Sequence, residues 1–374
     1  MTATQPASAA EFRMPSLGAD MAAGKLVEWL KRPGDAVRRG DVVAVVETQK
    51  GAIEVEIFTS GTLERLLVAP GTTVPVGTPL ALVREEGAPA EPAPRPPAAG
   101  KVSPAARRLA TRAGIDLSAL AGSGPGGAVV AADVEMAVAL REKPAPAAAR
   151  PGLDFDAMRQ AIAAAMARSK REIAHYYLAS DIDFGPARAW LSAVNRDRPP
   201  ERRLLASALL VKAGALALRK FPDMNGFFSE GAFRPSAAIH AGFAVAIRGG
   251  GLIAPAIHDA DGMGIDALMD ALRDLVARVR AGTVRSSELA DPTVTVTSLG
   301  ERGADSAFPI IYPPQVAIVG FGRESLRPWV SGNVVAPCPV VTATLGADHR
   351  VSDGHRGGLL LAEIAQLLQH PETL

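Results

Sequence analysis

The sequence predicts a multidomain chain: an all-β module of two similar sheets, a very small helical module and a large α/β module. Three observations predict it. Two Pro/Ala-rich stretches, residues 85–101 and 141–152, hold hardly any large apolar residue, so neither can build a core and both read as semi-rigid linkers extending about 3.1 Å per residue. The segment before the first linker contains an internal repeat at a spacing of 37 residues. The segment after the second, residues 153–374, mixes helical and strand patterns. A chain of 374 residues is too long for one small domain; at roughly 100–200 residues per domain it allows two or three folded units.

The first module covers residues 12–84. Gly24-Lys-Leu-Val-Glu-Trp-Leu-Lys-Arg-Pro33-Gly34, followed by Val37, Gly40, Val43 and Val46, is matched by Gly61-Thr-Leu-Glu-Arg-Leu-Leu-Val-Ala-Pro70-Gly71, followed by Val74, Gly77, Leu80 and Val83. Short Val/Leu runs punctuated by Pro-Gly and Gly turns are strands, and duplicating the unit gives two sheets related by a pseudo-two-fold axis. The join, Glu47-Thr-Gln-Lys50-Gly-Ala-Ile-Glu54, turns at Gly51 and displays Lys50 at a hairpin tip. With only eight lysines among 40 basic residues, this one stands out.

The second module, residues 102–140, reads as helix, loop, helix. Ser103 caps a helix that opens with Pro104, Gly122–Gly127 is loop, and Ala131–Leu140 is a second short helix. The third module, residues 153–374, shows helical spacing at Phe155–Ile173, Arg203–Lys220, Ile265–Ala281 and Gly357–His370, and strands at Ile239–Ile247, Leu252–Ile257, Thr293–Leu299, Gln315–Gly320 and Pro339–Leu345.

Forty basic against 39 acidic side chains leave a net charge of +1, so no chain-wide field would bind nucleic acid or an anionic membrane. No stretch approaches 18 consecutive apolar residues, and the opening MTATQPASAAEF lacks the basic start and apolar run of a secretory signal. A single cysteine, Cys338, excludes an intrachain disulfide and a four-cysteine zinc site. No metal site is expected, and the chain is expected in the cytoplasm.

A lysine at a hairpin tip is ordinarily a solvated charge. Set between the halves of a symmetric β module, it resembles the lysine of lipoyl and biotinyl carrier domains, to which the cofactor is attached. Biotin carriers flank that lysine with methionines, whereas Gln49 and Gly51 stand here, so the resemblance implies lipoic acid on Lys50. Lipoyl domains mostly carry an acidic residue where Gln49 stands. A lysyl-lipoyl tether on jointed linkers would raise the effective concentration of its cargo at several active sites.

The second module, SPAARRLATRAGIDLSALAGSGPGGAVVAADV, resembles the peripheral-subunit-binding domain of 2-oxo acid dehydrogenase complexes. That resemblance implies partner contacts from Arg107 and Arg108, with Arg112 on the same helix; a solvated basic face is the alternative. The family usually has arginine where this chain has Ala128, which removes a charge contact. The third module ends in Leu345-Gly-Ala-Asp-His349-Arg-Val-Ser-Asp353-Gly354, preceded in order by MRQAIAAAMARSK, HAGFAVAI, GLIAPAI, TVTVTSLG and PIIYPPQVAIVGFG. Together these resemble the catalytic domain of dihydrolipoamide acyltransferases, the core subunit of those complexes, and imply the chloramphenicol acetyltransferase-like fold.

The implied chemistry is acyl transfer between the lipoyl arm and coenzyme A. A thiol of pKa about 8.5 is mostly protonated at neutral pH and a histidine near 6.5 mostly neutral, so His349 is the general base for coenzyme A. The developing oxyanion needs a donor, which the resemblance places at Thr297, with its neighbour Ser298 as rival because strand neighbours point to opposite faces. Asp353 is expected to hold the active-site loop through an arginine, Arg159 for instance. The other histidines, His175, His240, His258, His355 and His370, are assigned to structure. The resemblance further implies a thiamine-dependent 2-oxo acid decarboxylase and dihydrolipoamide dehydrogenase as partners, and a homotrimer assembling into a larger core. A noncatalytic scaffold of the same modules is the alternative, opposed by the intact His349–Gly354 motif. Acetyl, succinyl and branched-chain pockets differ by a few side chains, worth about 1 to 3 kcal/mol of selectivity, and remain open.

Overall fold

The computed structural model describes residues 10–16, 21–48, 51–85, 103–113, 130–131, 134, 155–247, 251–300 and 303–374. The first module folds as eight strands: β1 (Ala10–Arg13), β2 (Ala23–Trp29), β3 (Ala36–Val37), β4 (Val42–Thr48), β5 (Gly51–Glu56), β6 (Gly61–Leu66), β7 (Thr73–Pro75) and β8 (Pro79–Glu85). They make two sheets, ordered β1-β8-β6-β3 and β5-β4-β2-β7. Exchanging each strand with the one four places on turns one order into the other, which is the two-fold relation the repeat predicts. Even a bulge is repeated, between Leu26 and Glu28 in β2 and between Leu63 and Arg65 in β6. Leu26 and Leu63, Val37 and Val74, Val43 and Leu80, Val46 and Val83 are buried pairs, each member supplied by one half. The turn glycines match as well: φ is +98° at Gly34 and +88° at Gly71, a region that side chains with a Cβ rarely adopt.

In the second module α1 (Pro104–Ala113) starts behind Ser103, whose Oγ accepts the Ala106 N–H at 3.2 Å. Ala106 and Ala110 are buried, while Arg107 and Arg108 are exposed. Ala131 and Val134 are helical; Ala128, the Gly122–Gly127 loop and the rest of the second helix lie outside the described residues.

The third module is α/β, as the sequence predicts. Its elements are α2 (Phe155–Glu172), β9 (His175–Asp183), α3 (Gly185–Val194), α4 (Ala206–Leu218), β10 (Gly226–Ser229), β11 (Ala232–Pro235), β12 (Ala241–Phe243), β13 (Val245–Ala246), β14 (Leu252–Ile253), β15 (Ala256–Ile257), α5 (Ile265–Ala281), β16 (Val284–Arg285), α6 (Ser286–Ala290), β17 (Val294–Ser298), β18 (Ala317–Phe321), β19 (Ser325–Ser331), β20 (Val334–Asp348) and α7 (Gly354–Gln369). A seven-stranded sheet runs β15-β12-β17-β18-β20-β19, with β9 paired to β20 along Val340–Asp348. The links β12 to β17 and β17 to β18 are parallel and the others antiparallel.

Helices cover one face. α4, alanine- and leucine-rich, is buried nearly all round, as expected of a helix apolar on every side. It shares a core with α5, α7 and the strand residues Val294, Val296, Val319, Ala343 and Leu345. On the opposite face of the sheet stand Thr295, Ile318 and Thr344, and Ile318 packs with Ile173 and Ile311. The expected helices and strands form, and the fold adds β9, α3, β10, β11, β16, α6 and β19. β9, HYYLASDID, alternates poorly because its residues are half-buried on both sides. α3 is only ten residues long and opens Gly-Pro. The β19–β20 hairpin leaves Leu326, Val330, Val334 and Val335 exposed, so its pattern gives no inside-outside contrast, and β20 runs well beyond the expected Pro339–Leu345.

Candidate active site

The turn after β20 is built around an ion pair between a buried acid and an exposed arginine. Asp348 has no exposed surface, and its carboxylate accepts the Arg350 backbone N–H at 3.0 Å and the Arg350 guanidinium at 2.6 to 3.0 Å. That guanidinium lies 3.9 Å over the Phe228 ring. The Asp348 carbonyl accepts the N–H groups of Val351 and Ser352 at 2.9 and 3.1 Å. His349 is thereby fixed at the apex, its own N–H donating to the Ala174 carbonyl at 2.8 Å. The imidazole is exposed and meets the edge of Tyr176, with centroids 5.4 Å apart and planes at 70°. Tyr176 and Ser352 share a hydrogen bond of 2.9 Å, and burial raises the Tyr176 pKa above its ordinary value. A Cβ on Gly357 would lie 2.8 Å from Leu178 and Leu345 and 3.0 Å from the Tyr176 hydroxyl. Glycine there lets α7 descend onto β9 and β20 beside the histidine.

Asp353 is the N-cap of α7, and its carboxylate accepts the Arg356 backbone N–H at 2.9 Å. The pairing with Arg159 expected from the sequence does not occur among the described residues; the cap position aims the carboxylate into the first turn instead. The arginine that ties this loop down is Arg356, which bonds Asp223 at 2.6 and 3.0 Å. That bond holds the Asp223 carboxyl below the usual carboxylate range. His175 sits opposite Asp348 in the β9–β20 register. Its Nε2 accepts the Ile311 N–H at 3.1 Å, so the ring proton is on Nδ1, which donates to the Ile173 carbonyl at 3.1 Å. Burial lowers its pKa and keeps it neutral.

Strand alternation separates Thr297 from Ser298. Thr293, Thr295 and Thr297 share one face of β17, while Val294, Val296 and Ser298 share the other, which enters the helix-covered core. The Thr293 hydroxyl donates to Asn225 Oδ1 at 2.6 Å and the Thr295 hydroxyl to Gln315 Oε1 at 2.7 Å. Ser298 Oγ accepts the Gly300 N–H at 3.4 Å. Among the described residues no hydrogen bond occupies the half-buried Thr297 hydroxyl. On the same face a small apolar cleft of about 60 Å³ lies between Met158 and Ile162 of α2, Leu289, Thr295 and Tyr312.

Within one chain the sheet keeps Thr297 and His349 apart. Thr297 is level with Gly320 on β18, and Gly320 with Thr344 on β20. Two strand spacings amount to about 10 Å, and the residues from Thr344 to His349 add about 16 Å along the strand. Hydroxyl and imidazole are therefore out of each other's reach. Lys50 and Gln49 lie outside the described residues; the strands on either side pair to their ends, Thr48 facing Gly51. Tyr176, Ser352, Asp223 and Arg356, which hold the His349 loop, were not singled out from the sequence. Their contacts are long-range, and β9, which brings Tyr176, hid in its mixed polarity. Among the described residues no three metal-ligating side chains cluster, and no helix is long and apolar enough to cross a membrane.

Three family matches tile the chain. Residues 10–83 match the biotin/lipoyl family described as biotin-requiring enzyme, residues 100–135 the e3 binding domain, and residues 151–374 the 2-oxoacid dehydrogenases acyltransferase catalytic domain. The acetyltransferase component of the pyruvate dehydrogenase complex of Rhizobium meliloti (strain 1021) is 32% identical, over 96% of this chain and 98% of its own. The dihydrolipoyllysine-residue acetyltransferase component of the acetoin cleaving system of Bacillus subtilis (strain 168) is 30% identical, again over 96% and 98%. Azotobacter vinelandii dihydrolipoamide acetyltransferase, solved in an investigation of a serine, a histidine and an asparagine in its catalytic mechanism, superimposes with a TM-score of 0.53 at 27% identity, over 57% of this chain and 88% of that one. The chain therefore belongs to the 2-oxoacid dehydrogenase acyltransferases, as a dihydrolipoyllysine-residue acyltransferase with lipoyl, e3-binding and catalytic domains.

Proposed function

We propose that this enzyme moves an acyl group between a lipoyl arm on Lys50 and coenzyme A, with His349 as general base and Thr297 as donor to the developing oxyanion. One observation carries the assignment. In the Azotobacter vinelandii enzyme the serine stands 52 positions before the histidine and the asparagine four after it, the spacings that separate Thr297, His349 and Asp353 here. Two side chains differ in kind, threonine for serine and aspartate for asparagine. A threonine hydroxyl offers the same donor, and the half-buried Thr297 hydroxyl, which no hydrogen bond occupies among the described residues, is available for it.

The modules divide as residues 12–84, 102–140 and 153–374, joined by linkers 85–101 and 141–152. Lys50 suits the arm chemically: its amine can form an amide with a carboxylic acid, and in sequence it falls between Thr48 and Gly51, which face each other across β4 and β5. When bound, the arm supplies a thiol that holds the acyl group as a thioester. His349 accepts the proton of the coenzyme A thiol, and Tyr176 orients the imidazole from its edge. Thr297 donates to the acyl oxygen as charge builds on it. Asp353 caps α7 and fixes the loop without exchanging protons.

Because one chain keeps the hydroxyl and imidazole apart, we place the site between copies, in a homotrimer that assembles into a larger core. The exposed Arg107 and Arg108 bind dihydrolipoamide dehydrogenase and the thiamine-dependent 2-oxo acid decarboxylase. A single cysteine, Cys338, suits the reducing cytoplasm. The test is to incubate reduced, lipoylated chain with acetyl-, succinyl- and isobutyryl-coenzyme A and weigh the peptide containing Lys50. Acylation with at least one donor, lost in His349→Ala, is expected; no acyl gain with any donor would refute the transfer.

A further inference from the structure

The lipoyl sheet does not end at β5. Its edge is extended by β16 of the catalytic module, giving the order β16-β5-β4-β2-β7. The two strands run parallel, with Val284 level with Ile53 and Arg285 level with Glu54. Beyond the pairing, the Glu56 N–H donates to Ser286 Oγ at 3.1 Å. The Ser287 N–H donates to Glu56 Oε2 at 3.2 Å, and the Ser287 hydroxyl donates to the same oxygen. Glu56, Ser286 and Val284 are 6%, 2% and 6% exposed. Leu289 packs at once against the lipoyl core and against the Val245–Val284 cluster of the catalytic module.

These observations describe a receptor rather than a chance touch. An open edge strand such as β5 presents unpaired backbone groups that seek a partner, and β16 satisfies them by strand addition. On the receiving side Glu288 accepts the Arg285 N–H at 3.0 Å and the Arg278 guanidinium at 2.6 Å, with Arg278 also held by Asp274 at 2.7 Å. The β16–α6 segment is thus braced from within its own module and ready to receive a strand. A carboxylate buried as deeply as Glu56 needs partners, and the two it has on the other module are Ser287 N–H and hydroxyl.

The contact is also oriented. Because the pair is parallel, the Glu56 end of β5 meets α6, which leads through Pro292 into β17 and Thr297, while the Gly51 end, next in sequence to Lys50, lies on the Gly282 side. The docked strand therefore points its lysine end away from the element that leads to the proposed oxyanion donor. Two paired residues and one carboxylate make a small contact, compatible with release.

We propose that β16–α6 is a parking dock for the lipoyl module of the same chain, engaged by β5 and latched by Glu56 on Ser286 and Ser287. The proposal deepens the carrier assignment, yet its test needs neither lipoylation nor turnover, so failure here would leave that assignment standing. In the full-length chain with Cys338→Ser, the level pair Glu54→Cys and Arg285→Cys should form a disulfide within one chain. Adding Glu56→Lys should slow that cross-link at least about tenfold, since it removes a charged hydrogen-bond partner. Ser286→Ala with Ser287→Ala, a milder change on the other module, should slow it too. Absence of a cross-link, a rate indifferent to both latch variants, or a cross-link that joins two chains would overturn the same-chain dock.

Discussion

The carrier module and the catalytic module both set their proposed reactive groups at strand ends, and they do so by opposite means. In the carrier, β4 and β5 are neighbours in sequence, paired through to Thr48 and Gly51, and the whole module is one unit used twice. In the catalytic module Thr297 is next to last in a strand whose partners are β12 and β18, and His349 follows a strand held by β9, far back in the chain. A residue displayed by local pairing can act from a single chain. A site assembled across a wide sheet can leave its halves out of reach of each other, as Thr297 and His349 are within one chain, which is why the proposed catalytic site takes a second copy and the proposed carrier does not.

The largest expected effect separates the two modules outright. Lys50→Arg keeps the charge and removes the attachment amine, so turnover of the assembled complex should vanish. Transfer between coenzyme A and free dihydrolipoamide should survive, because no residue of the catalytic module has changed. Loss of both activities would break the division of labour. Next in size is His349→Ala, expected to slow transfer to free dihydrolipoamide by about 10² to 10⁴, the range for a general base. The fold should be kept, since the imidazole is exposed and its backbone N–H still reaches Ala174. Thr297→Ala should cost about 10² to 10³ in turnover. Ser298→Ala, which removes a 3.4 Å bond to Gly300, should cost much less, and the reverse order would move the donor to Ser298.

The same contrast explains what was legible. Two halves 37 residues apart print the carrier's sheets, its turn glycines and even its bulge into the sequence, because one short pattern of strands and turns is used twice. In the catalytic module, periodicity found α5 to its ends and the Thr297 strand to within a residue. It missed β9, where half-buried side chains blur the alternation. Thr297, His349 and Asp353 came into view through resemblance to a family. The supports of the His349 loop did not, since Tyr176, Asp223 and Arg356 meet only after β9, the Pro222–Met224 turn and α7 have packed. The expected Arg159 partner for Asp353 does not appear among the described residues, where the carboxylate caps α7 instead.

The smallest effect is a pH dependence seated in the catalytic module alone. His175 is neutral in the fold, accepting from Ile311, and burial lowers its pKa below the ordinary value of about 6.5. The folded state therefore binds the proton less readily than the unfolded state. The stability this histidine lends is present above pH about 6.5 and is lost as pH falls through its lower folded value. Denaturant midpoints should drop over that window in the native chain and flatten in His175→Asn. Because His258, its pKa raised by its bond to Asp291, acts in the opposite sense, the decisive quantity is the difference between the two chains, and an identical pH profile in His175→Asn would contradict the assignment.

The central claim is that the catalytic site is completed between copies, and mixing tests it most directly. Chains carrying His349→Ala and chains carrying Thr297→Ala, each with its own affinity tag, would be co-expressed and the doubly tagged assemblies purified. Some interfaces then pair an intact Thr297 with an intact His349, so transfer between coenzyme A and dihydrolipoamide should rise well above that of either variant alone. Activity at the weighted mean of the two variants, in assemblies whose mixing is confirmed by mass, would put both groups in one chain and contradict the shared site.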